Sequence, residues 1–135
     1  MAKFVATDHK FTLNSTDLSS ALHSIELTVQ ADEVDTTTFG GTWKTVTGGL
    51  KSGSVKLNFY QDFGAGAVDA TLWPLLNTQA TVVITPTSST VSATNPAYTA
   101  ICLVSQYQPF SSTVGDLATL SITWPTSGTV VRGTV

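Results

Sequence analysis

The residue types best suited to nucleophilic or metal chemistry in this chain are His9, His23 and Cys102. A structural or catalytic zinc site needs three or four nitrogen, sulfur or carboxylate ligands brought together. Two histidines in separate segments and one cysteine are poor material for it, and Asp8 beside His9 suggests a local hydrogen bond instead. Cys102 lies in the apolar run Thr99-Ala100-Ile101-Cys102-Leu103-Val104, which predicts a buried, protonated thiol rather than a reactive thiolate. With one cysteine, no disulfide framework can form within the monomer. Serines are abundant, but none sits in a G-x-S-x-G elbow.

Gly64-Ala65-Gly66-Ala67 lacks both the third glycine of a dinucleotide fingerprint and the Gly-Lys-Ser/Thr of a P-loop. Asp62 and Asp69 on either side would oppose a phosphate, so the glycines are read as a strand-to-helix turn. Asp32, Glu33 and Asp35 are too close together, without a second cluster, for paired-carboxylate hydrolysis or calcium. A solvated acidic edge describes them better. The chain is therefore expected to be no enzyme, with no catalytic residues, no cofactor and no metal.

Composition points the same way. Charged residues make up 11% of the 135 positions, against about 25% in a typical globular protein. Ser and Thr fill more than a quarter, so neutral hydroxyls stand where charge usually does. Charge normally keeps proteins apart, and a surface short of it suits one that is assembled. The net charge is −3, with Arg132 the single arginine, so phosphate-neutralising recognition of nucleic acid is not expected. Residues 1–10 contain Lys3, Asp8, His9 and Lys10, which is no secretory leader, and no apolar run is long enough for a bilayer helix. A soluble protein made in the cytoplasm, with no membrane partner, is the expectation.

Elements follow from periodicity. Phe11-Thr12-Leu13 predicts a short strand before a turn at Asn14-Ser15-Thr16-Asp17. Residues 23–30 alternate, with Ile25, Leu27 and Val29 predicted inward and Glu26, Thr28 and Gln30 outward. Gly40-Gly41 and Gly48-Gly49 bracket the strand-forming run 42–47, which suggests an extended arm or hairpin within residues 36–53. Residues 54–60 alternate with Val55, Leu57 and Phe59 inward. Residues 67–76 are the one helix candidate, with Val68, Leu72 and Leu75 or Leu76 on one face and Pro74 keeping it short. Strands at 81–85 and 98–107 flank a polar loop at 86–96, read as functional or mobile. Strand 117–124 places Leu120, Ile122 and Trp124 in register, and 128–135 could add an edge strand. Trp73 and Trp124 are both expected in the core. The fold class is all-β: a single domain, 1–135, forming a β-sandwich or half-barrel of about seven or eight strands with one short flanking helix.

The run Glu33-Val34-Asp35-Thr36-Thr37-Thr38-Phe39-Gly40-Gly41-Thr42-Trp43-Lys44, followed by Gly49-Leu50-Lys51, Ser54-Val55 and Asp62, resembles the pattern of siphophage major tail proteins. The opening "MAKFV", "VDATLWPL" (68–75) and "VSATNPAYT" (91–99) are similar to short tail or "radial spoke" proteins of actinobacteriophages. The resemblance implies a tail-tube-like fold, a virion location in the phage tail, and hexameric rings stacked into a hollow tube. DNA would pass through it non-specifically during genome ejection. Partners would be further copies of the chain and the tape-measure, terminator and initiator proteins. Thr38, Phe39, Thr42, Trp43, Lys44 and Val46 become candidates for the subunit interface. Asp32, Glu33, Asp35, Asp62 and Asp116 become candidates for an acidic lumen lining. Other readings are a tail terminator, completion or capsid-decoration protein of the same fold, or a carbohydrate-binding β-sandwich. The last needs several tryptophans exposed on one face. Trp43 could alternatively cover the domain's own core.

Overall fold

The computed structural model describes residues 3–135. Two antiparallel sheets form the fold. The first, in the order β2-β1-β5-β6-β8, consists of β1 (Lys10–Leu13), β2 (Thr16–Asp17), β5 (Gln79–Thr85), β6 (Ala97–Leu103) and β8 (Val131–Gly133). The second, in the order β3-β4-β7, consists of β3 (Leu22–Asp35), β4 (Val46–Tyr60) and β7 (Thr119–Pro125). Beyond β7 the chain stays close to the first sheet: Thr126 bridges Cys102, and Ser127 N–H donates to the Ile101 carbonyl. The sheets are thereby joined along one corner, and the two-sheet all-β fold with one short helix is the class expected.

Alternation decides what the core contains. Val55, Leu57 and Phe59 of β4 and Leu120, Ile122 and Trp124 of β7 all point inward and are buried. They meet Phe11, Leu13, Ala80, Val82, Ala100 and Cys102 from the other sheet. Each large apolar side chain removed from water contributes roughly 1.5–3 kcal/mol, so this cluster is where folding stability is concentrated. Phe11 and Phe59 pack edge to face with centroids 6.0 Å apart, an arrangement the ring quadrupoles favour. The Trp124 indole N–H donates to the Gln106 carbonyl at 3.0 Å, so the buried ring leaves no polar group unmet.

The helix is shorter than its periodicity suggests. α1 spans Val68–Leu72 and tightens into a 3-10 turn over Trp73–Leu75, with Pro74 in that turn. Val68 and Leu72 are buried as expected. Trp73 is not: it is 61% exposed. One residue past Leu72 is about 100° around a helix, so Trp73 leaves the apolar stripe.

Two further expectations are corrected. Val29 is exposed although it shares the inward parity of Ile25 and Leu27: with them it lines an open cleft bordered across by Ile84 and Tyr98 of the first sheet. Asp8 and His9 do not bond to each other but reach across to the 86–96 loop. His9 Nδ1–H donates to the Pro86 carbonyl, and Asp8 accepts from Ser88 N–H and Oγ–H. That loop has an internal organiser, the buried Asn95. Its amide donates to the Ser89 and Thr90 carbonyls, and its Oδ1 accepts from Thr87 N–H.

Candidate assembly surface

β3 and β4 pair far beyond the rest of the second sheet. β7 reaches β4 only as far as the Ser54–Pro125 pair. Gly53 at the base still accepts from Thr126 N–H and Oγ1–H, and from Gln30↔Ser52 outward to Asp35↔Val46 the two strands have only each other as ladder partners. This two-stranded arm is roughly 20 Å long at about 3.3 Å per residue, and residues 36–45 close its tip. Every residue of 28–52 is exposed. The tip is laced by hydroxyls: Thr36 N–H donates to the Thr45 carbonyl, Thr45 N–H donates to Thr37 Oγ1, and the Thr36 and Thr45 hydroxyls lie 2.9 Å apart. Asp35 accepts from Thr37 N–H, and its hydrogen bonds to Thr37 hold its carboxyl below the usual carboxylate range.

The arm is not straight. Between Ala31↔Lys51 and Glu33↔Gly48 the register shifts, so Gly49 and Leu50 together oppose Asp32, a β-bulge that bends and twists a ribbon. Gly49 fits closely there, since a Cβ would stand 3.1 Å from Val34 Cγ2 and 3.2 Å from Asp32 Cβ and those side chains would have to give way by a few tenths of an ångström. Gly53 marks the base, where a Cβ would meet the Thr28 carbonyl oxygen at 3.0 Å.

All six interface candidates lie on this arm. Thr38, Phe39, Thr42, Trp43 and Lys44 form the tip, and Val46 begins β4. Trp43 is 86% exposed and covers no part of its own core, which removes the alternative reading of that residue. The acidic candidates divide. Asp32, Glu33 and Asp35 belong to the arm, and by strand alternation Asp32 faces opposite to Glu33 and Asp35. Asp62 and Asp116 lie at the other end of β4, where Gln61 N–H donates to the Ala118 carbonyl. No single face carries all five.

Sequence reasoning passed over an apolar patch at that far end. Phe63 and Phe110 pack with centroids 5.7 Å apart, yet are 57% and 80% exposed, and Val114 and Leu117 are exposed beside them in sequence. Four large apolar residues within two polar segments were the available signal. The loop carrying Phe110 is fastened by Gln61, whose Nε2–H donates to the Pro109 carbonyl at 2.8 Å and to the Tyr107 hydroxyl at 3.1 Å. Trp43, Trp73 and Trp124 are not brought to one face: one tips the arm, one flanks α1 and one is buried. Among the described residues no three His, Cys, Asp or Glu side chains converge as metal ligands, and no helix is long and apolar enough to cross a membrane. Burial pushes the Cys102 thiol up to about 11, far from a thiolate at neutral pH.

No protein-family model matches the sequence, and no curated protein matches it. Solved structures do. A chain in the virion of a native gene transfer agent particle aligns over 93% of this chain and 95% of its own, with a TM-score of 0.68 at 12% identity. A chain in the tail of an empty gene transfer agent particle, refined helically with C6 symmetry, aligns over 82% of this chain and 81% of its own, with a TM-score of 0.53 at 11% identity. The protein is thus an all-β, two-sheet domain sharing the fold of chains found in those particles.

Proposed function

We propose that the chain is a structural protein of a phage-type tail, of the siphophage major tail kind, that self-associates into rings stacked as a hollow tube. The observation that carries this reading is the fold match along nearly the full length of both chains to a virion component. A tail with six-fold symmetry contains the same fold, which supports six subunits to a ring. The arm supports it independently. A hairpin that packs on nothing in its own domain and ends in Phe39 and Trp43 has the makings of an interface anchor, because aromatic side chains dominate interface energies. Further copies of the chain, tape-measure, initiator and terminator proteins are the partners of such a tube. The net negative charge suits a conduit in which DNA must slide without adhering.

Negative-stain electron microscopy of the purified protein across a concentration series, with light scattering on the same samples, tests this. Hollow tubes of uniform width are expected. Single rings that never stack would favour a terminator or completion protein. A monomer at every concentration, also in the presence of phage tail tips as seeds, overturns the tube.

A further inference from the structure

We propose that residues 3–9 form a strap over the apolar cleft between the two sheets, latched by Asp8 on Ser88, and that undoing the latch bares the cleft without unfolding the domain. Such a device belongs to the single chain and stands whether or not the tube forms.

Thr126 joins the sheets at one corner, beside Cys102. Along β3 they part around a cleft of about 430 Å³, with Ile25, Leu27 and Val29 on one side and Ile84 and Tyr98 on the other. The three β3 residues have the parity of core positions, yet none is fully buried. Apolar surface left open to water is unfavourable in proportion to its area. What lies over it is the chain's own N-terminal segment. Phe4 and His9 line the same cleft, their rings edge to face with centroids 6.1 Å apart.

The segment is lightly held. Lys10↔Thr85 is the first rung of the ladder that fixes β1. N-terminal to it, among the described residues, two side chains bond to the body. His9 Nδ1–H donates to the Pro86 carbonyl at 2.9 Å, and Asp8 Oδ2 accepts from Ser88 N–H at 3.1 Å and Ser88 Oγ–H at 2.8 Å. His9 adjoins the ladder, so Asp8 is the outermost tether. Phe4 beyond it is 66% exposed, too little buried to hold the segment alone. Lys10 and Asp17 border the same hollow as Asp8, but Asp17 is taken by Ser19 N–H and Oγ–H, which leaves Ser88 to Asp8. The other half of the latch is fixed, because Asn95 braces its loop through Thr87 N–H and the Ser89 and Thr90 carbonyls. Exposed hydrogen bonds and few buried contacts mark the segments that open first, so the strap is the part that moves.

Thiol labelling tests the latch. Leu27→Cys puts a thiol inside the cleft, while buried Cys102 reports on any general opening. Thr28→Cys, exposed on the opposite face of β3, is the control. Adding Asp8→Ala is expected to quicken labelling of Leu27→Cys roughly fivefold, as loss of a charge-assisted contact shifts a local opening equilibrium. Ser88→Ala should do so by less, since the Ser88 N–H remains, and Thr28→Cys should not respond. Equal Leu27→Cys rates with and without Asp8→Ala overturn the latch. So does a quickening that Cys102 shares, which is unfolding rather than release of a strap. If Leu27→Cys does not fold, proton Overhauser contacts between the Phe4 and His9 rings read the strap in the otherwise native chain. Their loss in Asp8→Ala supports the latch, and their persistence overturns it.

Discussion

The Tyr107 hydroxyl donates a 2.7 Å hydrogen bond to Asp69 Oδ1, tying the loop after β6 to the first turn of α1. The same oxygen accepts from Gln61 Nε2–H, so one phenol joins three segments that local sequence does not connect. Burial first, and then the hydrogen bond to Asp69, push the Tyr107 phenol up to about 12. Replacing it by Phe strips Asp69 and Gln61 of that partner. We expect Tyr107→Phe to cost about 1 kcal/mol, since the site is only half-buried and a hydrogen bond to a carboxylate is partly replaced by water. Thermal melting measures the loss. Spectrophotometric titration should show the Tyr107 phenol transition, near pH 12, missing from the variant.

The arm should be separable from folding. Its residues contribute nothing to the buried cluster, and substitutions of exposed residues away from such clusters usually change stability by under about 0.5 kcal/mol. Deleting 42–47, or replacing Trp43 by Ala, is expected to leave circular dichroism and the melting temperature nearly unchanged and to abolish assembly. A deletion that unfolds the protein would show instead that the arm is needed for the fold.

Cys102 reports on the core. With its thiol near 11 and no exposed surface, it should resist a thiol reagent at pH 8 and react fully once the chain is unfolded. Rapid labelling of native protein would contradict the packing of β6. Cys102→Ser puts a hydroxyl in an apolar site and should cost roughly 1–3 kcal/mol.

Acid should loosen the molecule at defined places. Hydrogen bonds from Ser88, Ser19 and Thr37 hold the Asp8, Asp17 and Asp35 carboxyls below their ordinary value. A depressed carboxyl stabilises the folded state above the unfolded value near 3.8 and loses that contribution as pH falls through its own lower value. Hydrogen exchange below pH 4 is therefore expected to quicken first at the Ser88, Ser19 and Thr37 amides, relative to the β4–β7 ladder. Asp8→Asn should abolish this pH dependence at Ser88.

The strands were legible because they alternate. Val55, Leu57, Phe59, Leu120, Ile122 and Trp124 declare an inward face within six or seven residues, and all six are buried. What alternation does not encode is how tightly two layers close on each other. Val29 keeps the inward parity and still meets water, because it borders an open cleft shared with Ile84 and Tyr98. Trp73 shows the same limit for a helix, where Pro74 tightens the last turn and a bulky residue one step off the stripe is left outside. Polar organisation was hidden for another reason. Asn95, Gln61 and Tyr107 act through partners up to 48 residues away or through folded loop carbonyls, and no short-range pattern announces such bonds. The glycine-bracketed arm could be read from sequence, whereas the Phe63–Phe110 patch needed the structure to bring two distant loops together.

The bulge at Gly49 and Leu50 lies partway out along a ribbon anchored only at its base. The arm is in effect a lever whose flexure point stands clear of the body. A slight change of angle at those two residues is magnified at Trp43, with no core side chain disturbed. Successive copies joined through that tip would inherit the angle as their spacing and rotation. In any assembly joined through that tip, the angle between neighbours would then depend on two residues that lie outside the core.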